Sequence, residues 1–204
     1  MKNVGSRTIA VVEGLIRAIE KDSSAEVVVE LKWHSGSYAH ADLRVAAIAG
    51  FGSLLFVLFA PLTFAPRVVP LLVGVSWATG WLLSRSSDSV RRLLTSRRER
   101  LANSRMAAAA AFVERGVANT RNETGLLVLF SRLERRIEIV ADRGVLDVVP
   151  VLEWNQLMEA IGRDATLAEL STVLQQLRSL LARCLPAGAE DVNELPDVVR
   201  VDTE

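Results

Sequence analysis

The side chains that could do chemistry are few in this chain of 204 residues, and they are widely spaced. Cys184 is the only cysteine, and Glu190 stands where the Cys-x5-Arg loop of a cysteine phosphatase would need an arginine. Neither Asp142 nor Asp147 begins the Asp-x-Asp pair of an aspartyl-phosphate enzyme. The phosphate-binding loop with Gly-Lys, the Gly-x-Ser-x-Gly elbow and the His-Glu-x-x-His helix are also missing from the sequence. The sequence contains no recognisable catalytic constellation, which favours a non-catalytic role over an enzyme.

Metal ligands are equally sparse. His34 and His40 are the only histidines, and a transition-metal site would need further ligands that the fold brings to them. Glu26, Asp142 and Asp147 could converge at one end of a sheet and bind calcium, which prefers carboxylate oxygens, although solvated turn carboxylates are the simpler interpretation. Cys184 continues a stripe of leucines and is interpreted as a small buried hydrophobe. No cofactor is predicted, and calcium is the one alternative.

Arginines are concentrated in one part of the chain. Because the net charge is zero and no aromatic residue interrupts the cluster to stack bases, nucleic acid is not the expected partner. Such a cluster beside an apolar segment is typical of a cytoplasmic membrane flank, and contact with anionic lipid head groups is the second interpretation. The residues predicted to lie at this flank or to contact lipid are Arg85, Arg91, Arg92, Arg97 and Arg98, followed by Arg100 and Arg105.

Two long apolar segments precede these arginines. Half of the residues are hydrophobic and the mean hydropathy is +0.27, although the chain carries 24 acidic and 24 basic residues. Residues 45–66 and 68–84 contain no charge, and prolines surround Arg67 between them. These lengths predict a transmembrane helical hairpin over residues 43–88, with Trp77 and Trp81 as interface anchors. The alternative is a buried pair of helices in a soluble protein.

The rest of the sequence alternates between helical and strand patterns. Apolar residues at helical spacing predict helices over 6–20, 89–117, 151–161 and 167–184, the last opened by a capping box at Thr166 and Glu169. Alternation over 26–33 predicts a half-buried strand, an apolar run predicts a central strand over 125–131, and a second alternation predicts a strand over 137–142. A lone strand needs a ladder partner, so all three should share one sheet, with the last two antiparallel. The predicted parts are therefore 1–42 and 89–190 for one α/β domain, 43–88 for the hairpin and 191–204 for an acidic tail.

Several of these segments resemble the TPM-domain family. The resemblance is carried by Glu123 to Ser131, by Glu134 to Gly144, by Ser24 to Val29 with Ser35 to Tyr38, by Trp154, and by Asn193 to Pro196. Its most specific part is the Glu-Arg-Arg run followed by Ala-Asp-Arg-Gly, and it covers most of the chain outside residues 43–88. The chain is most similar to a bacterial membrane-protein branch with a transmembrane hairpin inserted in the domain. The resemblance implies an α/β fold with a small central sheet flanked by helices. Some members carry a phosphatase label.

Together these patterns lead to one expected function and two alternatives. We expect a membrane-tethered, non-catalytic binding or assembly module in the inner membrane, with two spans, a cytoplasmic soluble domain and a protein partner that the sequence does not identify. The alternatives are a phosphatase or metal-dependent hydrolase of the same family, and a module that binds anionic lipid. The N-terminus predicts no cleavable signal peptide, because Glu13, Arg17 and Glu20 interrupt its apolar residues.

Overall fold

A computed structural model describes residues 6–161, 164–188 and 199–201 of the chain. Its contacts divide the chain into two compact units, which are residues 1–35 together with 101–204, and residues 36–100. In chain order the elements are α1 (Ser6–Asp22), β1 (Glu26–Lys32), α2 (Ala39–Phe59), α3 (Val69–Ser86), α4 (Asp88–Leu94), α5 (Arg97–Glu114), a 3₁₀ turn (Val117–Asn119), β2 (Gly125–Ser131), β3 (Arg136–Ala141), α6 (Arg143–Val148), α7 (Val151–Ala160), α8 (Leu167–Cys184) and β4 (Arg200–Val201).

The first unit is built on one sheet with the strand order β3-β2-β1-β4. β1 pairs in parallel with β2, from Glu26 opposite Gly125 to Lys32 opposite Ser131. β2 pairs with β3 antiparallel, and the short β4 pairs with β1 in parallel. The prediction that the three main strands share a sheet is confirmed, as is the antiparallel pair. Residues 36–100 therefore lie, in sequence, between two strands that are neighbours in space.

Both faces of this sheet are covered. Side chains of α1 and α8, such as Ile16 and Leu174, pack on one face against Val29 and Val128. The small residues Ala108 and Ala111 of α5 pack on the other face against Leu127. The prediction of a half-buried β1 was wrong, because helices lie on both sides and all but the last residue of the strand is buried. The mixed α/β fold with a central sheet flanked by helices is confirmed.

Three local predictions, for the start of α8, for residues 89–117 and for the C-terminal tail, have different outcomes. The capping box at Thr166 is confirmed, since its hydroxyl accepts from the Glu169 amide and the Glu169 carboxylate accepts from the Thr166 amide. The single helix over 89–117 was wrong: Thr95 adopts an extended conformation that ends α4, and the Ser96 hydroxyl accepts from the Glu99 amide at the start of α5. The tail of residues 191–204 is described only at 199–201, where Arg200 and Val201 form β4. Asn193 to Pro196 lie outside the described residues.

The second unit contains α2 and α3, which pack on each other. Gly80 is buried in this contact, and a Cβ atom added to it would lie 2.7 Å from the Cβ of Ala49 and 3.1 Å from the carbonyl oxygen of Val45. Gly50 of α2 is likewise in contact with the side chain of Trp77. The close approach of the two helices requires a glycine at position 80, whereas a Cβ atom at position 50 would lie 3.4 Å from Trp77, an ordinary contact distance.

One helix among the described residues, α2, is long and apolar enough to cross a membrane, and only 17% of its most apolar window is buried. α3 is shorter, and its last turn carries Ser84, Arg85 and Ser86. The structure therefore supports one candidate span by length and composition, where the sequence predicts two.

Candidate membrane-flank site

The ends of α2 and α3 that lie away from the Arg67 turn carry a buried polar cluster. Asp42, which is 4% exposed, accepts two hydrogen bonds from Arg91, from Nε to Oδ1 at 3.0 Å and from Nη2 to Oδ2 at 2.6 Å. The hydroxyl of Ser84, a fully buried residue, donates to Oδ1 of Asp42 at 2.8 Å. This arrangement is the bidentate fork by which arginine recognises a carboxylate. It joins α2, α3 and α4 at one point, which we call the Asp42 clamp.

The Asp42 clamp also stabilises the charged form of Arg91. Its hydrogen bonds to Asp42 hold the pKa of the Arg91 guanidinium above its usual value, although burial acts in the opposite direction. Arg91 is predicted from the sequence to lie at the membrane flank or to contact lipid. In the structure its donors point at a carboxylate within the same unit, so its role is to position α4.

Further contacts hold the start of α2 against the segment that follows α3. Arg44 donates from Nη1 to the carbonyl oxygen of Leu94 at 3.1 Å, which satisfies a backbone acceptor at the end of α4. His40 lies with Nε2 3.0 Å from the Glu99 carboxylate in the first turn of α5. These contacts and the Asp42 clamp form the base of the hairpin.

The remaining flank arginines differ from Arg91. The guanidinium of Arg85 lies over the ring of Trp81, 5.3 Å from its centroid, as in a cation–π pair. Arg97 and Arg98 are exposed in the first turn of α5, while Arg92 is partly buried and donates to Ser89. The arginines predicted together from sequence therefore separate into one structural residue and several at the surface.

The two tryptophans predicted as interface anchors also differ in position. Trp77 stands near the middle of α3 and contacts Gly50, near the middle of α2. Trp81 is one turn closer to the base and carries Arg85 over its ring. Trp81 therefore pairs an apolar ring with a cation, whereas Trp77 lies at the contact between the two helices.

The carboxylates considered for calcium do not form a ligand group. Within the described residues, no three His, Cys, Asp or Glu side chains are placed to hold a metal ion. Asp142 caps α6 by accepting from the Arg143 amide at 2.7 Å, and Asp147 is an exposed partner of Arg143 in the same short helix. Glu26 is buried at the start of β1.

A different role emerges for the Ala-Asp-Arg-Gly run. The Gly144 amide donates to the carbonyl oxygen of Glu123 at 2.9 Å, and a Cβ atom at Gly144 would lie 2.4 Å from the carbonyl oxygen of Asn122. The Asp142 amide donates to the carbonyl oxygen of Gly125 at 2.9 Å. The run therefore closes the end of β3 against the loop that enters β2, which explains a glycine at position 144 on packing grounds.

The other candidates of the sequence fall at separate places. His34 lies in the loop after β1 and is partly buried. Cys184 ends α8, is partly buried and packs against the main core, which fits its interpretation as a small hydrophobe.

Two buried carboxylates have structural roles that the sequence did not predict. Glu30, fully buried on β1, accepts from Nε of Arg115 at 2.9 Å and lies 3.4 Å from Nζ of Lys32. Glu134 accepts from the Ser35 amide at 2.8 Å and from the Ser131 hydroxyl, which ties the loops after β1 and β2 together. The only signal for Glu30 was a charge inside an apolar strand, and Glu134 gave none, because its partner Ser35 lies 99 positions away.

Comparison with known proteins gives one match. No family model matches the sequence, and no curated protein matches it. The NMR structure of the BA42 protein from the psychrophilic bacterium Bizionia argentinensis is similar over 99% of this chain and 100% of its own, with a TM-score of 0.57 and 14% identity. This likeness shows the fold alone.

Proposed function

We propose that the chain is a membrane-tethered, non-catalytic module whose α/β unit binds or assembles with a protein partner. The observation that carries the proposal is the apolar surface of α2 and α3. Large apolar side chains point outward along both helices, including Phe51, Phe56, Leu58, Phe59, Leu71, Val75, Leu82 and Leu83. Soluble monomers rarely expose patches of this extent, whereas a bilayer covers them without cost.

The second span of the proposed hairpin is α3. Its 18 residues would extend about 27 Å, slightly less than a hydrocarbon core of about 30 Å. Its close contact with α2 through Gly80 is the kind of small-residue packing that holds helices together in lipid. The Arg67 turn, with prolines on both sides, would then face the compartment opposite to both termini.

The proposed location is the inner membrane of a bacterium, with the α/β unit in the cytoplasm. The support is the count of arginines, seven in residues 85–105 against one in the turn. The proposed type of the α/β unit is the TPM domain, supported by the sequence resemblance around Glu134 and Asp142.

The proposal that the module is non-catalytic is supported by the hydrogen bonds of its buried carboxylates. Asp42, Glu30 and Glu134 each accept internal hydrogen bonds that join separate elements. Carboxylates held in this way act as structural acceptors, whereas a general base must reach a substrate proton.

Two measurements test the proposal. Alkaline carbonate should leave the full chain in the membrane fraction, because an integral hairpin is not released by loss of charge. The purified chain should not hydrolyse generic phosphomonoesters. Extraction by carbonate would overturn the tether. Turnover that disappears in Asp142→Asn and persists in Asp147→Asn would establish the phosphatase alternative instead.

A further inference from the structure

We propose that the base of the hairpin selectively binds the head groups of anionic phospholipids, through Arg85, Arg97 and Arg98. This inference rests on the proposed membrane tether and adds a ligand class to it. It commits to lipid head groups as the source of the anion, because Arg85 is exposed in the same helix turn as the exposed apolar side chains of Leu82 and Leu83.

The charge balance of the base favours an anionic ligand. Within residues 36–100, the part outside the Arg67 turn contains seven arginines and three carboxylates, a formal excess of four positive charges. Two of the three carboxylates already have internal partners, since Asp42 binds Arg91 and Glu99 lies against His40. The internal pairs therefore do not neutralise Arg97 and Arg98, both of which are exposed. Arginine suits a phosphodiester because its fork can donate two parallel hydrogen bonds.

The proposed tether would bring this charge to the depth of a head group. Trp81 lies one turn before Arg85 and under its guanidinium, so an apolar ring and a cation follow each other along α3. Leu93, in α4, is 85% exposed and stands close in sequence to Arg92 and Arg97. An exposed leucine between arginines is typical of a segment that lies in the interface, with its apolar side chain toward the acyl chains. The Asp42 clamp keeps α4 at this position and removes Arg91 from the binding set.

The test measures which lipid surrounds Trp81. The full chain is reconstituted in vesicles that contain both phosphatidylcholine and phosphatidylglycerol. In one sample the phosphatidylcholine carries bromine atoms at the head-group end of its acyl chains, and in the other sample the phosphatidylglycerol carries them. Bromine quenches nearby tryptophan, and the part of the signal lost in Trp81→Phe reports Trp81 alone. We expect an affinity ratio of about fivefold or more in favour of phosphatidylglycerol, because each arginine near an anionic surface contributes about that factor.

Two variants distinguish binding at Arg97 and Arg98 from a general effect of positive charge. Arg97→Ala with Arg98→Ala should lower the preference to less than half of the wild-type value, and 0.5 M salt should lower it in the wild type, because salt screens exposed charges. Arg67→Ala removes one arginine at the opposite end of the hairpin and should leave the ratio unchanged.

The result can fail in two distinguishable ways. An affinity ratio near one, in a chain that resists carbonate extraction, would overturn the lipid site and leave the tether standing. The same conclusion would follow if Arg67→Ala lowered the ratio as much as Arg97→Ala with Arg98→Ala does. A chain that carbonate extracts would overturn the tether and the lipid site together.

Discussion

At the scale of single residues, the Asp42 clamp shows how a buried charge can position an element. Removing one partner of a buried ion pair is far more costly than the pair is worth, because the other charge is left without compensation. In this chain the partner left behind is Arg91, whose side chain is 16% exposed and can turn partly toward water. The cost should therefore be moderate and should appear as local opening of α4.

We expect Asp42→Asn to speed hydrogen exchange of the α4 amides about 30-fold in the detergent-solubilised chain. This corresponds to a loss of about 2 kcal/mol, the usual range for a charged hydrogen-bond partner. Arg92→Gln, one position along the same helix, should change the rates little. The double variant Asp42→Asn with Arg91→Gln should lose less than the sum of the two single variants. An additive double variant would show that the two residues do not act as a pair.

Glu30 supports a second prediction of the same kind, in the α/β unit. Its carboxylate is fully buried and accepts two hydrogen bonds from Arg115. Glu30→Gln keeps the shape but removes the charge and one acceptor, so the free energy of unfolding should fall by about 2 kcal/mol. Glu13→Gln, at an exposed i,i+4 pair with Arg17, is the matched control and should cost less than about 0.5 kcal/mol. Urea titration measures the free energy of unfolding of both variants, and equal decreases in the two would contradict the prediction.

At the scale of elements, the contact of α2 with α3 depends on the absence of a side chain at position 80. Gly80→Leu should separate the helices, because even its first carbon would meet Ala49 at 2.7 Å. Gly74 lies in the same helix with nothing within 4 Å of the corresponding point, so Gly74→Leu is the control. We expect the thermal transition of the solubilised chain to fall by several degrees for position 80 alone. An equal fall for both variants would mean that α3 tolerates no leucine and that the contact is not decisive.

The elements also show which features were predictable from the sequence. Stripes at helical spacing located α1 and α8, since burial of one face imposes that spacing. The break at Thr95 was missed although the sequence carries a signal for it: Ser96 and Glu99 have the same Ser/Thr-x-x-Glu spacing as the capping box at Thr166. The contact of Arg44 with Leu94, which spans 50 positions, was not predictable. Burial of the second face of β1 was missed because the covering residues Ala108 and Ala111 are too small to mark a stripe.

At the scale of the whole molecule, the arrangement of the sequence constrains how the chain folds. β1 and β2 are parallel neighbours, yet 92 residues separate Lys32 from Gly125, and they include both apolar helices. The sheet therefore cannot close until residues on both sides of the apolar segment have been made. Long-range pairing of this kind carries a loop-closure cost that grows slowly with length, so an insertion of this size is tolerated. If the apolar segment enters a bilayer as a hairpin, both of its ends return to the side on which the sheet forms.

The last prediction concerns the side of the membrane on which the α/β unit lies. We expect the C-terminus in the cytoplasm, because seven arginines in residues 85–105 oppose translocation of the second flank, whereas the turn offers only Arg67. A green-fluorescent fusion at Glu204 should be bright, and an alkaline-phosphatase fusion at the same residue inactive, since that enzyme matures outside the cytoplasm. A phosphatase fusion within the Arg67 turn should be active and serves as the matched control. Changing Arg91 and Arg92 to glutamine should leave the orientation intact, because five arginines remain on the flank. An active C-terminal phosphatase fusion with a dark fluorescent fusion would place the α/β unit in the periplasm.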